Sequence, residues 1–130
     1  SILKKISYTI AAIYQGVSLR VKNDTPYFNT LMLIVFAIII HIIQLLIILK
    51  IKGVDILQAI NKPTFIALFV LLIFLIIYFL RKIFPLKEIA SIEVRQSDKK
   101  IFYNGMIIYF LVSISIMVVL LINLKHHLGL

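Results

Sequence analysis

His41 falls inside a long apolar run, Leu31 to Leu49, whose only other polar side chain is Gln44. An ionisable group in hydrocarbon must be compensated by a partner, so it marks a functional position by default. Gln44, three residues on, shares its helical face, and Ala37, four residues back, leaves a gap where a neighbouring backbone can approach. In a third apolar run, taken as antiparallel, Ser113 and Ser115 fall at a comparable depth counted from Ile101. They point about 200° apart on a helix, so only one of them can meet His41 within the chain. A hydrogen bond from His41 to Ser113 or Ser115 is expected first, as packing glue worth about 0.6 kcal/mol. Bonding of His41 and Gln44 to another subunit comes next, and a proton-relay, haem-ligand or pore role after that.

Much other chemistry is missing. The five acids (Asp24, Asp55, Glu88, Glu93 and Asp98) all lie outside the apolar runs. With no intramembrane carboxylate, a self-sufficient ion-coupled transporter is not expected. The chain has no cysteine, hence no disulfide, thiolate metal site or cysteine nucleophile. Neither a glycine-rich phosphate loop, a metalloprotease helix motif nor a nucleophile elbow occurs. The four glycines each stand alone, without a Gly-x-x-x-Gly face. A bis-histidine haem needs two intramembrane histidines, and His41 is single. His126 and His127 point apart on a helix and read as a solvated or interfacial tail. The expectation is therefore a non-enzyme with no cofactor and no metal.

The elements that carry these residues follow from composition. Of 130 residues 62 % are apolar and mean hydropathy is +1.11, more apolar surface than a soluble globule hides. The fold expected is an all-α membrane protein: three transmembrane helices preceded by a basic amphipathic interfacial helix. Residues 1–24 form that helix, with Ile2, Ile6, Ile10, Ile13 and Val17 on one stripe. The first span covers 25–52, with Thr25 as cap and Pro26 as first helical residue. A short outer loop, 53–62, ends in Asn61-Lys62-Pro63, which restarts the chain in the same way. The second span, 63–84, is almost uniformly apolar. A charged loop, 85–98, holds a short surface helix around Leu86, Ile89 and Ala90. Ser97-Asp98 then caps a third span, 99–125, and a tail, 126–130, closes the chain. No cleavable leader pattern is visible, so the first span is expected to stay in the mature protein.

Charge sets the expected orientation. Net charge is +9, from fourteen Lys and Arg against five acids. Ten of the basic residues fall in the first segment and second loop, among them Lys4, Lys5, Arg20, Lys22, Arg81, Lys82, Lys99 and Lys100; four fall in the first loop and tail. The positive-inside rule then puts the N-terminus in the cytoplasm and the C-terminus outside. Tyr27-Phe28, Tyr78-Phe79 and Phe102-Tyr103 mark the same leaflet as an aromatic belt. These basic residues beside apolar runs face anionic lipid headgroups rather than nucleic acid. Asn23-Asp24-Thr25 matches a glycosylation acceptor, but on the side assigned to the cytoplasm.

The Asp24-to-Phe28 entry, two spans, the Ser97-Asp98-Lys99-Lys100 loop end and a third span together resemble a group of small uncharacterised bacterial three-span proteins. That resemblance implies an inner membrane and brings no activity with it; the Ile, Leu and Lys bias is similar to proteins of AT-rich bacterial genomes. The function expected is a non-catalytic accessory or structural subunit of a larger bacterial inner-membrane complex. Its partners are membrane lipids and the helices of other integral subunits, or further copies of itself. The alternatives are a homo-oligomeric channel or membrane-perturbing effector, and a cofactor-holding anchor of a respiratory enzyme.

Overall fold

The computed structural model describes residues 2–20, 26–58 and 60–129. Regular structure among them is helical only: α1 (Ile2–Arg20), α2 (Pro26–Ile51), a short 3-10 turn (Ile56–Gln58), α3 (Lys62–Ile83), α4 (Leu86–Ser91) and α5 (Gln96–His127). At 1.5 Å per residue, α2, α3 and α5 are ~39, ~33 and ~48 Å long, against a hydrocarbon core of ~30 Å. All three are long and apolar enough to cross a membrane. The chain is an all-α, multi-pass membrane protein with an N-terminal helix ahead of its spans.

Local chemistry explains most helix ends. Asn61 caps α3, its Oδ1 accepting from the Thr64 N–H at 2.9 Å, with Pro63 in the first turn where a missing N–H costs nothing. At the end of α2, Gly53 adopts φ +93°. The Val54 N–H donates to Leu49 O at 2.8 Å and the Gly53 N–H to Lys50 O at 3.1 Å, the paired bonds of a Schellman motif. The start of α5 departs from expectation. It begins at Gln96, with Arg95 at the cap position and no side-chain cap bond. Asp98 sits in the first turn instead, where the helix dipole favours a carboxylate. At its far end α5 continues to His127, so His126 and His127 belong to its last turn. The expected break at 23–25, including the Thr25 cap, and Lys22 lie outside the described residues.

The central span is α2, packed along α5 and against α3. His41 meets Tyr109 and Gln44 meets Ser113, residue numbers rising together, so α2 and α5 run parallel. The antiparallel expectation for the third span fails, because two crossings separated by one more must point the same way.

The N-terminal helix packs on protein along one side, against α5, α2 and α4. Ile10 and Val17 are buried, but Ile2 is 78 % exposed and Leu3 and Ile6 are also exposed. The residues fully enclosed are Ala11 and Ala12, with Ser7 nearly so. Small side chains win this face because the backbones come close. A Cβ on Gly16 would lie 3.1 Å from Lys99 O and 3.2 Å from Tyr103 Cβ. Ser7-x3-Ala11 and Ala12-x3-Gly16 thus form the small-residue packing face, whereas the expected isoleucine stripe is split between protein and surroundings.

One end of the molecule holds the core: Ile10, Ala11, Phe84 and Ile89, with Tyr14, Leu80 and Ile92 against them. The α4 segment, expected on the surface, buries Ile89 completely. Gln15 Nε2 donates to Ile92 O at 2.9 Å, and the Tyr27 hydroxyl donates to Phe84 O at 2.6 Å. These bonds tie α1 to the end of α4 and the start of α2 to the end of α3, and the packing of α1 on α2 and α5 brings in the start of α5. By contrast α3 buries none of its residues and α5 buries only Ser113.

Candidate functional site

Polar groups converge on the seam between α2 and α5. Gln44 Nε2 donates to the Ser113 carbonyl at 2.8 Å. A flipped amide would set oxygen against oxygen there, so this bond fixes which end of Gln44 faces His41. Gln44 Oε1 is then the atom 3.0 Å from His41 Nδ1. An amide oxygen only accepts, so Nδ1 carries a proton, and in a neutral ring Nε2 is then the acceptor for the Tyr109 hydroxyl. The two rings meet edge-on with centroids 5.7 Å apart. Tyr109 O–H to His41, His41 N–H to Gln44 and Gln44 N–H to Ser113 C=O make one consistent chain.

This chain ties helices together more readily than it moves protons. It ends on a backbone carbonyl, which cannot pass a proton on, and among the described residues no carboxylate is bonded to it. Both ring nitrogens are engaged, so coordinating iron would require giving up one of these bonds. Among the described residues no group of three or more His, Cys, Asp or Glu is placed to hold a metal ion. His41 itself is exposed at the edge of the seam.

Ser113 and Ser115 therefore differ in role. Ser113 is buried and contributes its carbonyl, whereas the Ser115 hydroxyl donates to Leu111 O at 2.8 Å on its own helix. Neither hydroxyl meets His41. Its partner, Tyr109, lies one turn before Ser113, as His41 lies about one turn before Gln44. Pairs at matching spacing on parallel helices were the signal for it.

A second polar cluster joins α1 to the start of α5. The Tyr8 hydroxyl donates to the Asp98 carboxylate, and the Arg95 backbone N–H donates to the Tyr8 hydroxyl oxygen at 3.5 Å. The bond to Asp98, and after it desolvation, raises the Tyr8 phenol above its usual 10. No protein family matches the chain, and neither does any curated protein or solved structure. Geometry alone therefore has to carry the functional reading.

The expected headgroup residues lie around the packed end. Lys4 and Lys5 are in the first turns of α1, Arg81 and Lys82 in the last turn of α3, Lys99 and Lys100 in the first turns of α5. All except Lys99 are exposed. Arg20 is the last residue of α1, and Lys22 falls outside the described residues.

Proposed function

We propose that this chain is a non-catalytic accessory subunit of a larger bacterial inner-membrane complex, with its N-terminus in the cytoplasm and its C-terminus outside. The observation that carries the proposal is α3, a 22-residue spanning helix with no buried residue. Its face is bulky as well as exposed: Phe74 is 66 % and Leu71 55 % exposed. Such a face suits partner helices, where van der Waals packing drives association. The polar chain at His41 supports the same reading, since its bonds close within the molecule and hold α2 to α5 rather than presenting a reactive group.

The orientation rests on charge. The end built from α1, α4 and the start of α5 carries most of the basic residues, which favours the anionic cytoplasmic leaflet. Purification from the native membrane in mild detergent tests the proposal. A stoichiometric integral membrane protein should co-migrate with the chain, and a lone monomer would count against it.

One observation favours a second reading, a homo-oligomeric channel. His41 is exposed beside Gln44, so several copies could bring these residues into a ring. Liposomes carrying the protein would then leak ions, and His41→Leu would abolish the leak. Tight liposomes would remove this reading.

A further inference from the structure

Helices α1, α2 and α5 leave between them a cleft of about 280 Å³, lined by Ile13, Ala37, Gly105 and Phe110 among others. Three hydroxyls border it, and each is already engaged. Thr9 Oγ1 donates to Lys5 O at 2.9 Å, Thr30 Oγ1 to Pro26 O at 2.8 Å, and Tyr109 to His41. A buried water needs two to four polar partners, so the cleft offers water no adequate site. It exceeds the ~150 Å³ apolar cavity that accepts benzene. Its volume is below that of a single helical turn, ~10 Å across with side chains and ~5.4 Å long. What fits is a flexible hydrocarbon chain, and the surroundings of a spanning protein supply one.

Two residues sharpen the identity of this occupant. A Cβ on Gly105 would meet nothing within 4 Å, so no packing within the chain demands glycine there. Yet glycine in a helix interior costs about 1 kcal/mol against alanine. Keeping that wall flat makes sense if something outside the chain lies against it. Lys5, exposed, sits one turn from Thr9 on the same face of α1, at the basic end of the cleft. Ile2 and Ile6 beside it are exposed as well.

We infer that this cleft binds one acyl chain of an anionic phospholipid, with the phosphate of that lipid beside Lys5. The inference stands independently of the proposed partner complex, because it uses α1, α2 and α5 and leaves α3 free.

The chain has no tryptophan, so one introduced indole reports alone. Phe110→Trp places it in the cleft, and Phe74→Trp places it on α3. Both positions lie nine residues in from the packed end, counted from Ile101 and Ile83. Each protein is reconstituted in phosphatidylcholine vesicles with increasing fractions of phosphatidylglycerol brominated on its acyl chains. Half-quenching of Phe110→Trp is expected at about fivefold lower mole fraction than for Phe74→Trp, the preference that one lysine at an anionic surface supplies. Adding Gly105→Leu should remove the difference by filling the cleft, and adding Lys5→Gln should shrink it. If Gly105→Leu does not fold, Gly105→Ala with Ala37→Val narrows the cleft from both walls and should shrink the difference too. Equal midpoints for the two parent tryptophan proteins would overturn the inference whatever the added substitutions do. So would a difference unchanged in both the filled and the Lys5→Gln proteins.

Discussion

The Gln44 side-chain amide donates to the Ser113 carbonyl at 2.8 Å and thereby orients every other bond on the α2–α5 seam. The carbonyl selects the amide orientation, the amide selects the imidazole tautomer, and the tautomer makes the Tyr109 hydroxyl a donor. A hydrogen-bond chain of this kind acts as a unit, so its members are not interchangeable polar residues.

Gln44→Leu should therefore cost more than one contact. Two of the three bonds disappear, one between helices and one within α2; with an interhelical bond in a membrane at about 0.6 kcal/mol and an i,i+3 pair at about 0.2–0.5 kcal/mol, the loss in stability should be about 1 kcal/mol. Nitrogen-15 NMR of labelled histidine checks the mechanism: His41 should show the Nδ1–H tautomer in the parent protein and a mixture in Gln44→Leu. Tyr109→Phe combined with Gln44→Leu should cost less than the sum of the single changes, since they share His41.

The docking of α1 gives a covalent test. With no cysteine in the chain, an introduced pair is unambiguous. The Cβ of a residue replacing Gly16 would lie 3.2 Å from Tyr103 Cβ, close to the ~3.5–4.5 Å span of a disulfide. Gly16→Cys with Tyr103→Cys should form an intramolecular bond on mild oxidation, visible as a reductant-sensitive mobility shift. Gly16→Leu should separate the helices and increase amide exchange along α1.

Tyr8 sets an alkaline limit on the same contact. Its phenol titrates higher in the folded protein than the ~10 of an unfolded tyrosine, because the neutral form donates to Asp98. The folded state therefore holds this proton more tightly. The stabilisation is complete below pH ~10 and is lost as pH rises through the folded value. Thermal unfolding in detergent should show stability falling above pH ~10, and Tyr8→Phe should flatten that part of the profile.

The three spans were legible in the sequence because hydrocarbon demands long apolar runs, and Leu31 to Leu49 leaves no other reading. Asn61 was legible as a cap because its chemistry is local, and Gly53 as a terminator for the same reason. What escaped was relational. Tyr109 carries no local mark in the sequence, because only the parallel register of α2 and α5 puts it against His41. The Ala12-x3-Gly16 face of α1 was hidden beneath a more obvious isoleucine stripe, because hydrophobic periodicity weighs size and small-residue packing rewards its absence. Ile89 looked like part of a surface helix because six residues carry too little pattern to say what covers them.

A photo-crosslinking side chain at Phe74, activated in the native membrane, should join the chain to one discrete integral membrane protein, and the same band should co-purify in mild detergent. The same group at Phe36, exposed on α2, should give that band weakly or not at all. Lipid adducts alone at Phe74, with the chain recovered as a monomer, would contradict the account.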